Sequence, residues 1–222
     1  MRKVGLMCRF AGVLERWRIG DAPFAIISNN CWGYQLYNDL GRNYNTPFVG
    51  LFVMPECYLA LLADFQRSIS GEIVIGHQSK YRAEPTRYPV GVLPCGAEIH
   101  FLHYGPDAEA LEKWQRRCAR LREAIAADTP LFLKFCDNEG ATDEQFARFH
   151  AVPFGTKISF SPRALPLPGH VGERSLASRK TGRVGSGTWL YDKRNHWFDI
   201  SCWIRDGVIT RTPLSRLLGL VT

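Results

Sequence analysis

No stretch of this 222-residue chain has the roughly 20 consecutive apolar residues needed to cross a bilayer as a helix. A secretory leader is not expected either: the basic start Met1-Arg2-Lys3 is followed by Arg9, Glu15, Arg16 and Arg18, which interrupt any apolar h-region. Cytoplasmic residence is the resulting expectation, and the seven scattered cysteines agree with it. Their number is odd and none forms a C-x-x-C pair, which argues against both a disulfide framework and a structural zinc site. Neither a G-x-G-x-x-G fingerprint nor a P-loop occurs, so a standard dinucleotide or nucleoside triphosphate site is not expected, and no cofactor or metal is assigned. Helix-turn-helix, ribonucleoprotein and zinc-finger signatures are also missing. The formal net charge of +7 is therefore not read as a nucleic-acid footprint.

That charge is unevenly placed. Residues 1–20 carry five basic groups against one acid, and residues 160–222 carry ten against four. A basic end of this kind suits an anionic membrane surface or an anionic substrate, so a position peripheral to the inner membrane face is one expectation.

Along the chain, short apolar runs alternate with amphipathic segments. Residues 3–18 set Val4, Met7, Cys8, Ala11, Leu14 and Trp17 on one helical face. Strands are expected at 24–27, 48–53, 72–75, 90–93, 98–104, 131–135 and 157–160, with helices at 32–40, 55–68, 107–127 and after Thr142. Thr142 and Gln145 have the spacing of a capping box. This alternation predicts an α/β fold with a mainly parallel sheet, helices on both faces and a three-layer, Rossmann-like topology. The organisation read from it is an N-terminal helix at 1–20, an α/β body at 21–162, and a basic linker with a C-terminal extension at 163–222. Trp189, Trp197 and Trp203 in that extension are expected to form a hairpin packed on the body.

Sites in open α/β sheets gather where strands end at their carboxyl edges. Three polar groups fall at such places: Ser28-Asn29-Asn30-Cys31-Trp32-Gly33, His100 with His103, and Asp137-Asn138. With Asn30 as helix cap, Cys31 would take the first helical position, where the dipole should lower its thiol pKa. His103 or His100 would complete a thiol–imidazole pair, with Asp137 as orienter. Asn29, Asn30, Trp32, Gly33, Asn45, Lys134 and Asn138 are the candidate substrate contacts. Each has a plain structural counterpart: asparagines build turns, a buried cysteine packs, and a lysine in an apolar strand can extend to its edge.

The strings Ser28-Asn29-Asn30-Cys31-Trp32-Gly33, Asn45-Thr46-Pro47-Phe48-Val49-Gly50-Leu51-Phe52, Tyr88-Pro89-Val90-Gly91 and Glu98-Ile99-His100-Phe101-Leu102-His103-Tyr104 carry a resemblance, which continues through Lys113-Trp114 to Lys134-Phe135. Over about residues 20–162 the chain resembles a bacterial family of domains of unknown function whose members go by the name of exopolysaccharide biosynthesis proteins. The resemblance implies work in exo- or capsular polysaccharide assembly, with a sugar or polysaccharide and an activated donor as partners. The leading expectation is a transferase moving an acyl-type group to a sugar through Cys31. The alternatives are a glycosyltransferase-like protein holding an activated sugar phosphate, and a non-catalytic partner in polysaccharide assembly. One departure stands out: the family pattern often has an arginine after the aspartate that follows the lysine strand, whereas this chain reads Asp137-Asn138-Glu139-Gly140.

Overall fold

The computed structural model describes residues 6–220. In chain order the elements are α1 (Leu6–Ile19), β1 (Ala25–Ser28), α2 (Tyr34–Leu40), α3 (Pro55–Ala63), α4 (Phe65–Ser70), β2 (Val74–Gly76), β3 (Val90–Val92) and β4 (Glu98–His100). They continue with α5 (Asp107–Ala126), β5 (Leu131–Cys136), α6 (Asp143–His150), β6 (Thr156–Ser161), β7 (His170–Gly172), α7 (Gly187–Asp192), α8 (Ile200–Asp206) and α9 (Pro213–Gly219). Strands β1, β5, β6 and β7 form a sheet in that order, parallel throughout. Strands β2, β3 and β4 form a separate, small antiparallel sheet.

The parallel sheet is covered on both faces, and β5 shows how the sequence arranges this. Successive strand residues point to opposite sides. Leu133 and Phe135 join a core with Tyr58 and Leu62 of α3, Trp114 and Leu121 of α5, and Phe146 and Phe149 of α6. Phe132 and Cys136 join a second core with Leu36 and Tyr37 of α2, Tyr191 of α7, and Ile200 and Trp203 of α8. Trp32 lies at the centre of that second core, 5.7 Å from the Tyr191 ring and 5.8 Å from the Trp203 ring. A buried ion pair, Arg194 Nε to Glu15 Oε1 at 3.0 Å, ties α1 to the C-terminal segment.

Three expectations change. The apolar run 48–53 is not a strand; it touches the small sheet through one bridge, Phe52 opposite His100. Gly50 sits at φ 71°, a left-handed conformation that interrupts an extended chain, while Phe48, Leu51 and Val53 still fill the first core. In the C-terminal segment, short helices replace the hairpin. Ser186, Asp199 and Thr212 each accept a hydrogen bond from a backbone N–H of the first turn, at Trp189, Ser201 and Ser215. On α1 the buried side chains include Glu15 and Ile19, whereas Trp17 is 81% exposed and does not belong to a core face. The calls on Val4, Met7, Cys8 and Ala11 fall on side chains outside the described residues.

Candidate functional site

At the carboxyl edge of the parallel sheet, β1 ends at Ser28, which lies opposite Lys134 of β5. Spaced by two on the same strand, Lys134 and Cys136 share the face turned to the second core. The Lys134 side chain has 0% exposure. Its Nζ donates to Asn30 Oδ1 at 2.8 Å, to Cys136 Sγ at 3.0 Å and to Asn29 Oδ1 at 3.3 Å. These three acceptors match the three N–H donors of an ammonium. Among the described residues no carboxylate touches the amine, and burial lowers its pKa from the ordinary lysine value, opposed mainly by Cys136. The sulfur of Cys136 receives a second donor, Asn30 Nδ2 at 3.2 Å, while Asn29 Nδ2 donates to the Cys136 carbonyl at 3.0 Å. A buried amine, a buried thiol and two carboxamides thus form one connected network.

Asp137 and Asn138 lie beside this network and hold a strap made of residues 183–187. The Asp137 carboxylate, 1% exposed, accepts Val184 N–H at 2.9 Å and pairs with Arg163 Nη1 at 3.1 Å. Burial raises its pKa against those partners. Arg163 thus supplies from β6's far side the cation that the order Asp137-Asn138 does not. Asn138 Nδ2 donates to the carbonyls of Val184 and Gly185. Gly187, at the start of α7, presses on Asn30: a Cβ there would lie 2.6 Å from Asn30 Oδ1. The strap therefore closes the edge over the amine and thiol.

The expected Cys31–histidine–Asp137 arrangement is not formed. Helix α2 begins at Tyr34 with Gly33 in the cap position, so Asn30 is no cap and Cys31 lies in the preceding turn. The Cys31 thiol is buried and donates to the Leu51 carbonyl at 3.4 Å. Burial raises its pKa, which outweighs the pull of Lys134 and reverses the expected direction. His103 sits exposed in the turn after β4, because the apolar string ends its strand at His100. His100 is buried at the small antiparallel sheet, stacked on Phe52 at 4.4 Å and 3.6 Å from Glu98 Oε2. Asp137 meets Arg163 rather than an imidazole.

Among the other candidates, Trp32 is fully buried in aromatic packing, which leaves it no face for a ligand. Gly33 permits close approach of α2 to β1, since a Cβ there would meet Ile26 Cγ2 at 2.7 Å. Asn45 accepts from the Tyr37 hydroxyl and donates to the Phe24 carbonyl, a loop-fixing role. The structure therefore unites Asn29, Asn30 and Lys134, adds Asp137 and Asn138 as holders of the strap, and separates the two histidines. Sequence reasoning missed Cys136. The signal was present in its spacing of two from a lysine inside an apolar strand.

An α/β protein with a parallel sheet and a closed polar network at its carboxyl edge is the class that fold and site define. Residues 6–173 match the family model described as a domain of unknown function, DUF1919, and the chain belongs to that family. It is 33% identical over 149 residues to an uncharacterized protein of Haemophilus influenzae, a match covering 67% of this chain and 66% of the relative. The family description assigns no activity.

Proposed function

We propose that the protein is a group-transfer enzyme of cell-surface polysaccharide assembly, passing an acyl-type group to a sugar hydroxyl through a thiol at the carboxyl edge of a Rossmann-like sheet. The thiol of this reading is Cys136 in place of Cys31. One observation carries it: Cys136 Sγ accepts from both Lys134 Nζ and Asn30 Nδ2. Two donors converge on one sulfur, an arrangement that supports negative charge developing there during nucleophilic attack. The thiolate adds to the carbonyl carbon of an acyl donor, and Asn30 Nδ2, 3.2 Å from the sulfur, offers a donor to the developing oxyanion. Collapse releases the donor's leaving group with a proton from Lys134 and leaves a thioester on Cys136. The sugar hydroxyl then attacks the thioester, its proton passes to the neutral amine, and the ester departs with the thiolate restored. Entry to this chemistry requires the strap at 183–187 to lift. The polysaccharide context rests on the resemblance of the Asn29–Gly33 and Glu98–Tyr104 strings.

The first test is peptide mass spectrometry after incubation with a simple acyl thioester. An acyl adduct on the peptide of Cys136 is expected, absent in Cys136→Ser and strongly reduced in Lys134→Met. Removing the amine also takes one donor from each of two buried carboxamide oxygens, so Lys134→Met should lower stability by about 1–3 kcal/mol. Adducts confined to the half-buried Cys95 and Cys202, or none at all, would refute the nucleophile. The network would then be a polar fastening for the C-terminal segment.

A further inference from the structure

A cavity of about 400 Å³ opens in the C-terminal segment, lined beyond the family match except at Glu173, its last residue, and away from the Lys134 network. Its walls combine Trp189 and Trp197 with Arg211, Arg216 and His196, and with the pair Glu173 and Ser175. The two indoles lie 5.7 Å apart at 53°, forming an angled aromatic corner. Trp197 Nε1 is directed at Ser175 Oγ, 3.4 Å away, which in turn donates to Glu173 Oε2 at 3.1 Å. Among the described residues, neither the Arg211 nor the Arg216 guanidinium has a carboxylate or carbonyl partner. His196 adds a buried Nδ1 with no hydrogen-bond partner. Burial, then the fields of Lys193 and Arg211, lower its pKa, so the imidazole stays neutral beside the cations.

We infer that this cavity binds a phosphorylated sugar. Each part of such a ligand has a counterpart on the walls. Indole faces take the apolar C–H face of a pyranose ring, and a ring of that size fits a cavity of this volume. Unengaged guanidiniums bind phosphate oxygens in pairs, a match that planar Arg makes better than Lys. Glu173 is what separates a sugar phosphate from a bare anion. A carboxylate repels phosphate but accepts hydroxyl protons, and Ser175 beside it both donates and accepts. A simple anion patch would have no use for that pair.

The cavity also adjoins the strap. The Trp189 indole lies against Gly185, where a Cβ would come within 2.7 Å of the ring, and the Gly185 carbonyl is one that Asn138 holds. A ligand on Trp189 therefore sits next to the segment that closes the sheet edge. Binding here does not depend on the thiol chemistry proposed above, and Cys136→Ser should leave it unchanged.

The test is a calorimetric titration of the full chain, with glucose 1-phosphate, inorganic phosphate and glucose as separate probes. Glucose 1-phosphate should bind at least about tenfold more tightly than either fragment, with an affinity that falls with salt. Arg211→Gln and Arg216→Gln should each weaken it about tenfold, the loss expected for one charged hydrogen-bonding partner. Both positions carry exposed or half-buried side chains, so these variants should fold normally, and a circular-dichroism melt verifies that. Glu173→Gln should weaken glucose 1-phosphate but not inorganic phosphate. Equal affinity for inorganic phosphate, no detectable binding, or an unchanged affinity in the double arginine variant would overturn the assignment.

Discussion

The two faces of the parallel sheet are covered from different parts of the chain. The face of Leu133 and Phe135 is covered by α3, α5 and α6, which lie between strands in sequence. The face of Phe132, Lys134 and Cys136 is covered by α2 and the C-terminal helices α7 and α8, with α1 fastened alongside through Glu15 and Arg194. The family match stops at residue 173, so α7 and α8 lie beyond it. The first face is thus closed by local crossovers, and the second by a distant segment. The polar network sits on the second face, under the strap that this distant segment provides. A cover brought from far along the chain can be released without dismantling the strands, which is what an edge site needs.

Removal of residues 174–222 should break this comparison most severely. It uncovers Trp32, Leu36, Tyr37 and Phe160 and deletes Leu190, Phe198, Ile200 and Trp203. Each deleted side chain contributes about 1.5–3 kcal/mol of burial. Their sum, about 6–12 kcal/mol, is comparable with the roughly 5–15 kcal/mol by which a domain is usually stable. The shortened chain should lose its cooperative melt and bind a hydrophobic dye. A truncated protein that melts cooperatively near the full-length temperature would show that the second face needs no such cover.

Acid should act away from the second face. His150 and His170 pack on Phe149 and Phe146 of the first core, His100 stacks on Phe52 and Tyr88 at the small antiparallel sheet, and burial lowers the pKa of each. For His100, 1% exposed, the value falls to about 4 from 6.5, with Glu98 opposing the shift. A histidine kept neutral in the fold protonates first in the unfolded chain. The stability it contributes is therefore complete above pH 6.5 and is lost as pH falls from there towards 4. The full difference corresponds to about 3 kcal/mol. Urea melts from pH 7 to 4.5 should show this decline, with a shallower slope in His100→Gln. An equal slope in that variant would place the acid sensitivity elsewhere.

Regular elements were legible where local chemistry and tertiary packing agree. The helix expected at 107–127 and the strand expected at 131–135 appear at Asp107–Ala126 and Leu131–Cys136, and the Thr142–Gln145 capping box has both its bonds formed. Misreadings arose where one residue outweighs a pattern. Gly50 interrupts an apolar run that otherwise reads as a strand, and the Asn29–Gly33 turn lasts long enough to move Cys31 off the helix. In the C-terminal segment the caps Ser186, Asp199 and Thr212 were visible, but the tryptophans' weight obscured them. The candidate site was half legible. Asn29, Asn30 and Asp137 followed from the rule that strand ends gather polar groups, and Lys134 from its charge inside an apolar strand. Cys136 was signalled by strand alternation from Lys134, whereas Arg163 depended on a contact between distant segments, which no local pattern encodes.

The smallest expected effect concerns α1, the element attached to the second face. Its last turns leave Trp17 81% exposed and Val13 63% exposed, four residues apart and so on one side of the helix. Arg16 lies beside them with its guanidinium on the Asp39 carbonyl, and the preceding sequence includes Arg2, Lys3 and Arg9. Apolar side chains among cations suit the boundary of an anionic bilayer, where each basic residue near the surface is worth about 1 kcal/mol. Vesicles of anionic phospholipid should sediment part of the protein at low salt and much less at high salt, since screening shortens the attraction. The fluorescence of Trp17 should shift to the blue on binding, and Trp17→Ser should remove that shift while leaving the melt unchanged, because an indole so exposed packs on little. Neutral vesicles should bind weakly under both conditions. If anionic and neutral vesicles sediment the protein equally, charge plays no part, and the exposed pair on α1 must meet another surface.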